Sequence, residues 1–261
     1  MPLANLSPTR RAFIKGAAAG VAALPLYGPA YGQDGQLVPL QDYQRQFFTA
    51  EEWEFVLAAT ARLIPSEGDG PGALEARVPV YIDLQLAGPY GVGADWYMVG
   101  PHYPDAPAER GFQSPLGPAE IYRQAIPVFN EWCTRRYGAV FAALEPAQQD
   151  EALHTLEGGD APQQQQKPQE DMSEDSGGQT PSIGQDGGLL EFAPELRDFF
   201  SLLLQNTKEG YFADPKYGGN HEMQPWVYIG FPGARASYLE WVDQWNVPYP
   251  LGPVSISGER A

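Results

Sequence analysis

The sequence predicts an all-α, mainly helical single domain with two long ordered Gly/Pro/aromatic loops and a disordered insertion. Three observations lead there. Apolar residues recur at three- and four-residue spacing in several segments, whereas no segment sustains the two-residue alternation of a half-buried strand. Two stretches rich in glycine, proline and aromatic residues separate the helical patterns. One further tract has almost nothing to bury. No strand-helix-strand unit and no internal repeat that would mark a solenoid is present.

The chain begins with an address. Thr9-Arg10-Arg11-Ala12-Phe13-Ile14-Lys15 reads as the core of a twin-arginine signal peptide over residues 1–30. It is followed by the weakly apolar run Gly16 to Leu26 and a small-residue site at Gly28-Pro29-Ala30. That run is too short to span a bilayer and no later apolar run reaches about 18 residues, so no direct membrane span is expected. An irregular tail, residues 31–46, leads to the folded part.

Residues 47–157 form the first part of the helical domain. Thr49-Ala50-Glu51-Glu52 is a capping box, in which hydroxyl and carboxylate each accept an otherwise unpaired amide. Trp53, Val56, Leu57, Thr60, Ala61 and Ile64 then follow at helical spacing, and Pro65 closes the helix. A second helix is expected near Leu74 to Leu86, and a long loop over Ala87 to Gly117, in which His102 has no assigned chemistry. Pro118 to Leu144 turns helical again with Ile121, Ala125, Val128, Trp132, Val140 and Phe141; Pro127 should kink it or divide it in two. Pro146 to Leu156 has a proline suited to a first helical turn and carries His154 on a face.

Residues 158–188, GGDAPQQQQKPQEDMSEDSGGQTPSIGQDGG, are a low-complexity linker. The second part of the helical domain, residues 189–261, opens with an amphipathic helix carrying Leu196, Phe199, Phe200, Leu203 and Leu204 that ends near Gly210. The stretch 211–233, YFADPKYGGNHEMQPWVYIGFPG, holds six aromatics, four glycines and three prolines without helical or strand period. It is expected to be an ordered loop, because so much ring surface gains free energy by packing. A last helix, Arg235 to Trp245, and an extended tail, Asn246 to Ala261, complete the chain.

Charge and cysteine count exclude whole classes. The formal charge of −17 becomes more negative when Arg10, Arg11 and Lys15 leave with the signal, which disfavours nucleic acid and anionic lipid. Cys133 is the single cysteine, so the chain has no intrachain disulfide, no Cys-based zinc or Fe–S site and no C-x-x-C-H haem attachment. No nucleophile elbow, phosphate loop, H-E-x-x-H or dinucleotide fingerprint occurs. Asp214, Asn220, His221 and Glu222 are the best local polar group. They read as turn-building residues ahead of a carboxylate pair or a hard-cation site, since Asp-Pro and Gly-Gly-Asn are turn chemistry.

Phe212-Ala213-Asp214-Pro215, Tyr217-Gly218-Gly219-Asn220, Trp226 and Gly230-Phe231-Pro232-Gly233 together resemble the small subunit, subunit 3, of gluconate 2-dehydrogenase-type complexes. The likeness extends to Phe48-Thr49-Ala50-Glu51-Glu52, Leu63-Ile64-Pro65, Gly117-Pro118-Ala119-Glu120-Ile121-Tyr122-Arg123 and Phe141 through Leu153. The resemblance implies a non-catalytic chain without cofactor of its own. Its partners would be an FAD-dependent large subunit that oxidises a sugar, sugar acid or polyol, and a multihaem cytochrome c subunit that passes electrons to quinone. The complex would be periplasmic, exported by the twin-arginine route and attached to the inner membrane through those partners. Phe212, Asp214, Tyr217, Asn220, Trp226 and Phe231 are then the candidate partner-binding residues, since aromatic anchors concentrate interface energy. The competing reading is a free-standing periplasmic carbohydrate-binding module or hydrolase, with the rings as a stacking platform and Asp214 and Glu222 as acid and base.

Overall fold

The computed structural model describes residues 37–158, 190, 192–235, 237–247 and 249–261, which fall into two units divided between Gln44 and Arg45. The expected signal over residues 1–30 and the linker beyond Gly158 lie outside the described residues. In the first unit a single 3-10 turn, Leu40–Asp42, is described. The second unit holds the six α-helices among the described residues: α1 (Ala50–Leu63), α2 (Val78–Ala87), α3 (Pro118–Tyr137), α4 (Pro146–Glu157), α5 (Phe199–Phe212) and α6 (Gln224–Ile229). No strand occurs among the described residues, and the all-α class is as the sequence predicts.

Helix α1 starts where its cap chemistry demands. The Thr49 hydroxyl accepts from the Glu52 amide at 3.3 Å and the Glu52 carboxylate accepts from the Thr49 amide at 2.8 Å. The same carboxylate pairs with Arg123 of α3, whose guanidinium lies 4.2 Å from the Phe47 ring centroid. Trp53, Val56 and Thr60 are buried as their spacing predicts; Phe55 and Ala59 are fully buried as well, so the inward face is wider than the apolar period alone indicates.

Helix α2 begins at Val78, later than Leu74, because Arg77 takes a left-handed conformation (φ 57°) that no helix can run through. It is the most enclosed helix, with Val78, Val80 and Ile82 inaccessible to solvent. The Asp83 carboxylate on it is fully buried and accepts three consecutive amides, Gln46 at 2.6 Å, Phe47 at 3.0 Å and Phe48 at 2.9 Å, which anchors the chain entering α1.

Helix α3 corrects the expectation for Pro118 to Leu144. It runs unbroken through Pro127, which sits on the exposed side where water can serve the carbonyl left without an amide, and it stops at Tyr137. Gly138, at φ 85°, supplies the left-handed C-terminal turn, and Phe141–Ala143 is a separate 3-10 turn. Helix α4 ends in the same way at Gly158, φ 102°.

These helices enclose a core dominated by rings. Phe55 lies 5.2 Å from Phe141 and 5.9 Å from Phe129, and Tyr122 meets Phe199 edge-on at 5.4 Å, all four phenylalanines being fully buried. The Tyr122 hydroxyl donates to Asn206 Oδ1 at 3.0 Å, and Asn206 Nδ2 donates to the Tyr90 hydroxyl at 2.8 Å. Tyr90 belongs to the long loop after α2, which is irregular apart from a 3-10 turn at Ala108–Arg110 and is held by the ring series Tyr90, Trp96 and Phe112. Cys133 is buried in this core and burial pushes its thiol up to about 12, the environment of a small apolar residue and not of a nucleophile.

Candidate functional site

The stretch 211–233 is ordered, but it is not a loop without secondary structure. Tyr211 and Phe212 are the last turn of α5; Pro215–Tyr217 and His221–Met223 are 3-10 turns; Gln224–Ile229 is α6. Each piece is shorter than the window over which an apolar period can be read, which is why the sequence shows none.

Its path is set by close backbone approach. A Cβ on Gly219 would stand 2.1 Å from the carbonyl oxygen of Gly210, and one on Gly210 would stand 2.8 Å from the Tyr81 ring of α2. The two glycines thus let the segment cross α5 while α5 lies against α2. Beyond them Asn220, Glu222 and Met223 all have positive φ, between 45° and 56°, and the His221 amide donates to Ala76 O at 3.2 Å. Burial lowers the pKa of His221 below its ordinary value, against the opposing influence of Glu222.

The six candidate residues divide into two groups. Trp226, Asp214 and Asn220 are buried, at 5%, 7% and 0% exposure. They build the segment: Trp226 Nε1 donates to Phe212 O at 2.9 Å, Asn220 Nδ2 donates to Ala213 O at 2.8 Å, and Asp214 accepts from the Lys216 amide at 3.2 Å and the Ile256 amide at 2.6 Å. Phe212, Tyr217 and Phe231 are each close to half exposed. Phe231 meets Trp226 edge-on at 5.0 Å, and Lys216 Nζ lies 4.7 Å from the Tyr217 ring centroid. With both carboxylate oxygens of Asp214 engaged by backbone amides and Glu222 exposed, the two do not share an environment suited to acid and base roles. No cluster of three or more metal-ligating side chains occurs among the described residues.

Two expectations downstream are corrected. Arg235 to Trp245 is not a helix; among its described residues a 3-10 turn at Leu239–Trp241 is all that forms, and Leu239, Val242 and Trp245 are solvent-exposed and offer no buried face to hold a helix. Tyr238 and Trp241 gather on Tyr249 instead, at 6.0 and 5.3 Å. The tail is not extended but returns to the stretch 211–233: Ala234 N donates to Val254 O at 2.7 Å, and Val254 N to Pro232 O at 3.3 Å. Ser255 N to Glu259 O at 2.9 Å and Ala261 N to Pro253 O at 3.2 Å then fold it on itself.

The residues that sequence reasoning passed over are Val227, Tyr228 and Ile229, exposed by 56%, 59% and 53% on α6. A signal existed. Three consecutive large apolar residues on a one-and-a-half-turn helix cannot all face inward. They form a ridge with a groove of about 550 Å³ on one side, reaching to Ser66, Asp69 and Glu75. A second groove, of about 320 Å³, reaches to the tail at Leu251 and Ala261. Val227 borders both.

Helices packed on a ring core, an aromatic segment braced by glycine contacts, and an apolar ridge turned to solvent define an all-α protein whose distinctive feature is a surface. The sequence profile of the gluconate 2-dehydrogenase subunit 3 family matches residues 50–233, and the chain belongs to that family. The match ends at Gly233, which forms an isolated bridge with Val254. No curated protein and no solved structure matches the chain. No helix among the described residues is long and apolar enough to cross a membrane.

Proposed function

We propose that the chain is the non-catalytic small subunit of an FAD-dependent dehydrogenase complex acting on a sugar, sugar acid or polyol, and that it holds the flavoprotein subunit and assists its maturation. The observation that carries this reading is the exposed apolar surface of the family-matched segment, Phe212, Tyr217, Val227 to Ile229 and Phe231. Val227 and Phe231 line one groove together, and exposed apolar surface that is shared in this way marks an interaction site. The reading places FAD in the large partner subunit and haem c in the cytochrome subunit; a chain with one cysteine cannot supply the haem attachment pair. It also places the assembled complex in the periplasm, delivered by the twin-arginine signal at residues 9–15, with a multihaem cytochrome c as the route to membrane quinone.

Phe212, Tyr217 and Phe231 are the direct contacts in this scheme. Trp226, Asp214 and Asn220 act through the shape they give the segment. The test is affinity capture of the full chain from membranes of its host, with mass spectrometry and a visible spectrum of the eluate. The tag belongs in the linker, residues 158–188, because the Ala261 amide is engaged with Pro253 O. A flavin spectrum and a flavoprotein in the eluate are expected. A colourless chain without partner would overturn the proposal.

A further inference from the structure

The groove of about 550 Å³ beside α6 has its own chemistry. Its floor is the turn before α2 and its wall is Tyr228. The ring rests on Gly70, where a Cβ would come within 3.0 Å of Tyr228 Cζ. The turn is tied down by hydrogen bonds: Tyr211 Oη donates to Pro71 O at 2.6 Å, and Glu75 accepts from Ser66 Oγ at 2.6 Å and from the Gly72 amide at 3.1 Å. Those bonds, that of Ser66 first, hold the Glu75 carboxyl below its usual range and so keep it charged. Asp69 adds a second carboxylate and Gln224 an amide, while no lysine or arginine lines the groove.

We infer that this groove receives an arginine side chain of the partner dehydrogenase subunit, stacked on Tyr228 and paired with Glu75 and Asp69. The inference rests on the subunit reading above. The geometry suits a guanidinium more than an ammonium: a planar cation stacks on a tyrosine face and pairs with a carboxylate through parallel donors. Charge complementarity argues for a cationic occupant, because two carboxylates face the space in a chain of formal charge −17. A sugar acid would be repelled by the same groups. Continuity argues for a protein: Val227 joins the groove to the apolar ridge and to the second groove, so an arginine seated here is flanked by apolar contact. An anchor with an apolar surround that excludes water is the usual arrangement of an interface centre.

The test uses the full chain captured together with its partner, comparing wild type with Tyr228→Ala, with Glu75→Gln combined with Asp69→Asn, and with Val140→Ser as a control on an exposed residue outside the groove. Glu75→Gln keeps an acceptor for the Gly72 amide, and unchanged melting temperatures of the free chains establish that the variants fold. Both groove variants should release the flavoprotein about tenfold faster or more, the carboxylate variant through loss of the charge pair and Tyr228→Ala through loss of the stacking surface. The carboxylate variant should also lose much of the salt dependence of release. Val140→Ser should behave as wild type. Equal retention of the partner by wild type and both groove variants overturns this inference and leaves the subunit reading standing; failure of wild type to retain any dehydrogenase subunit overturns both. A rise in melting temperature with glucose or gluconate that Tyr228→Ala abolishes would assign the groove to a sugar and overturn the arginine.

Discussion

The indole Nε1 of Trp226 donates to the carbonyl oxygen of Phe212 at 2.9 Å. That carbonyl ends α5, where the helix itself has no amide left to offer, so a side chain from α6 supplies the missing donor. The bond closes the stretch between them, and the Phe231 ring packs on the indole in a T-shaped pair with centroids 5.0 Å apart. Trp226 thus organises the exposed surface from beneath it.

Removing that ring should therefore unfold before it undocks. Trp226→Ala is expected to destabilise the chain by about 3–5 kcal/mol through lost burial and the cavity left behind. Trp226→Phe, which keeps most of the packing and loses the donor, should cost about 1 kcal/mol. Denaturant unfolding of the full chain measures both, and equal losses would show that the hydrogen bond and not the packing dominates.

Gly219→Ala tests the close approach to Gly210. Its methyl would stand 2.1 Å from the Gly210 oxygen, a backbone atom that cannot rotate aside. A loss of about 1–3 kcal/mol or more is expected from overpacking. An unchanged melting temperature would mean that the segment does not cross α5 at this point.

Asp214→Ala should free the tail without unfolding the helices. It removes the acceptor of the Ile256 amide, which lies 2.6 Å from Asp214 Oδ2, and the one that holds the Lys216 amide. Hydrogen exchange over residues 254–261 should rise while exchange in α1 and α3 stays as in wild type. Protection of the tail in the variant would place its anchor at Gly233 instead.

His221 gives the fold an acid sensitivity. Burial holds its folded-state pKa below the ordinary 6.5, so the unfolded chain binds its proton first as pH falls. Stability is unaffected well above that value, declines as pH drops below about 6.5 and stops declining from this source once pH is below the folded-state value. His221→Gln should flatten the denaturant-derived stability over this window. A histidine raised by its neighbour Glu222 would give the opposite slope.

The helical part of the fold was legible because its signals are local. Thr49 and Glu52 form the predicted capping box, and Pro146 opens its helix. Trp53 is buried as its spacing predicts. Each of these depends on residues within a turn or two, where spacing and side-chain chemistry suffice. Three of the site residues, Asp214, Asn220 and Trp226, were legible as important but not as buried. The local bonds of Asp214 to the Lys216 amide and of Asn220 to the Ala213 carbonyl are the turn chemistry that their residue types announce, whereas burial depends on the Ile256 amide and the other distant groups that come to cover them.

What the sequence determined by itself, then, is the class: an all-α chain with one cysteine, an acidic balance and an aromatic segment whose glycines, prolines and rings mark the subunit 3 family. Only the tertiary structure decided which rings face water. Tyr211 reaches the Pro71 carbonyl and Asp214 the Ile256 amide across long stretches of chain, and the tail meets Gly233 through Val254. Exposure of Val227, Tyr228 and Ile229 follows from where α6 comes to rest after those contacts are made. The physical reason is range. Caps and helical periods are satisfied within a few residues, whereas a surface is what remains after distant segments have covered one another.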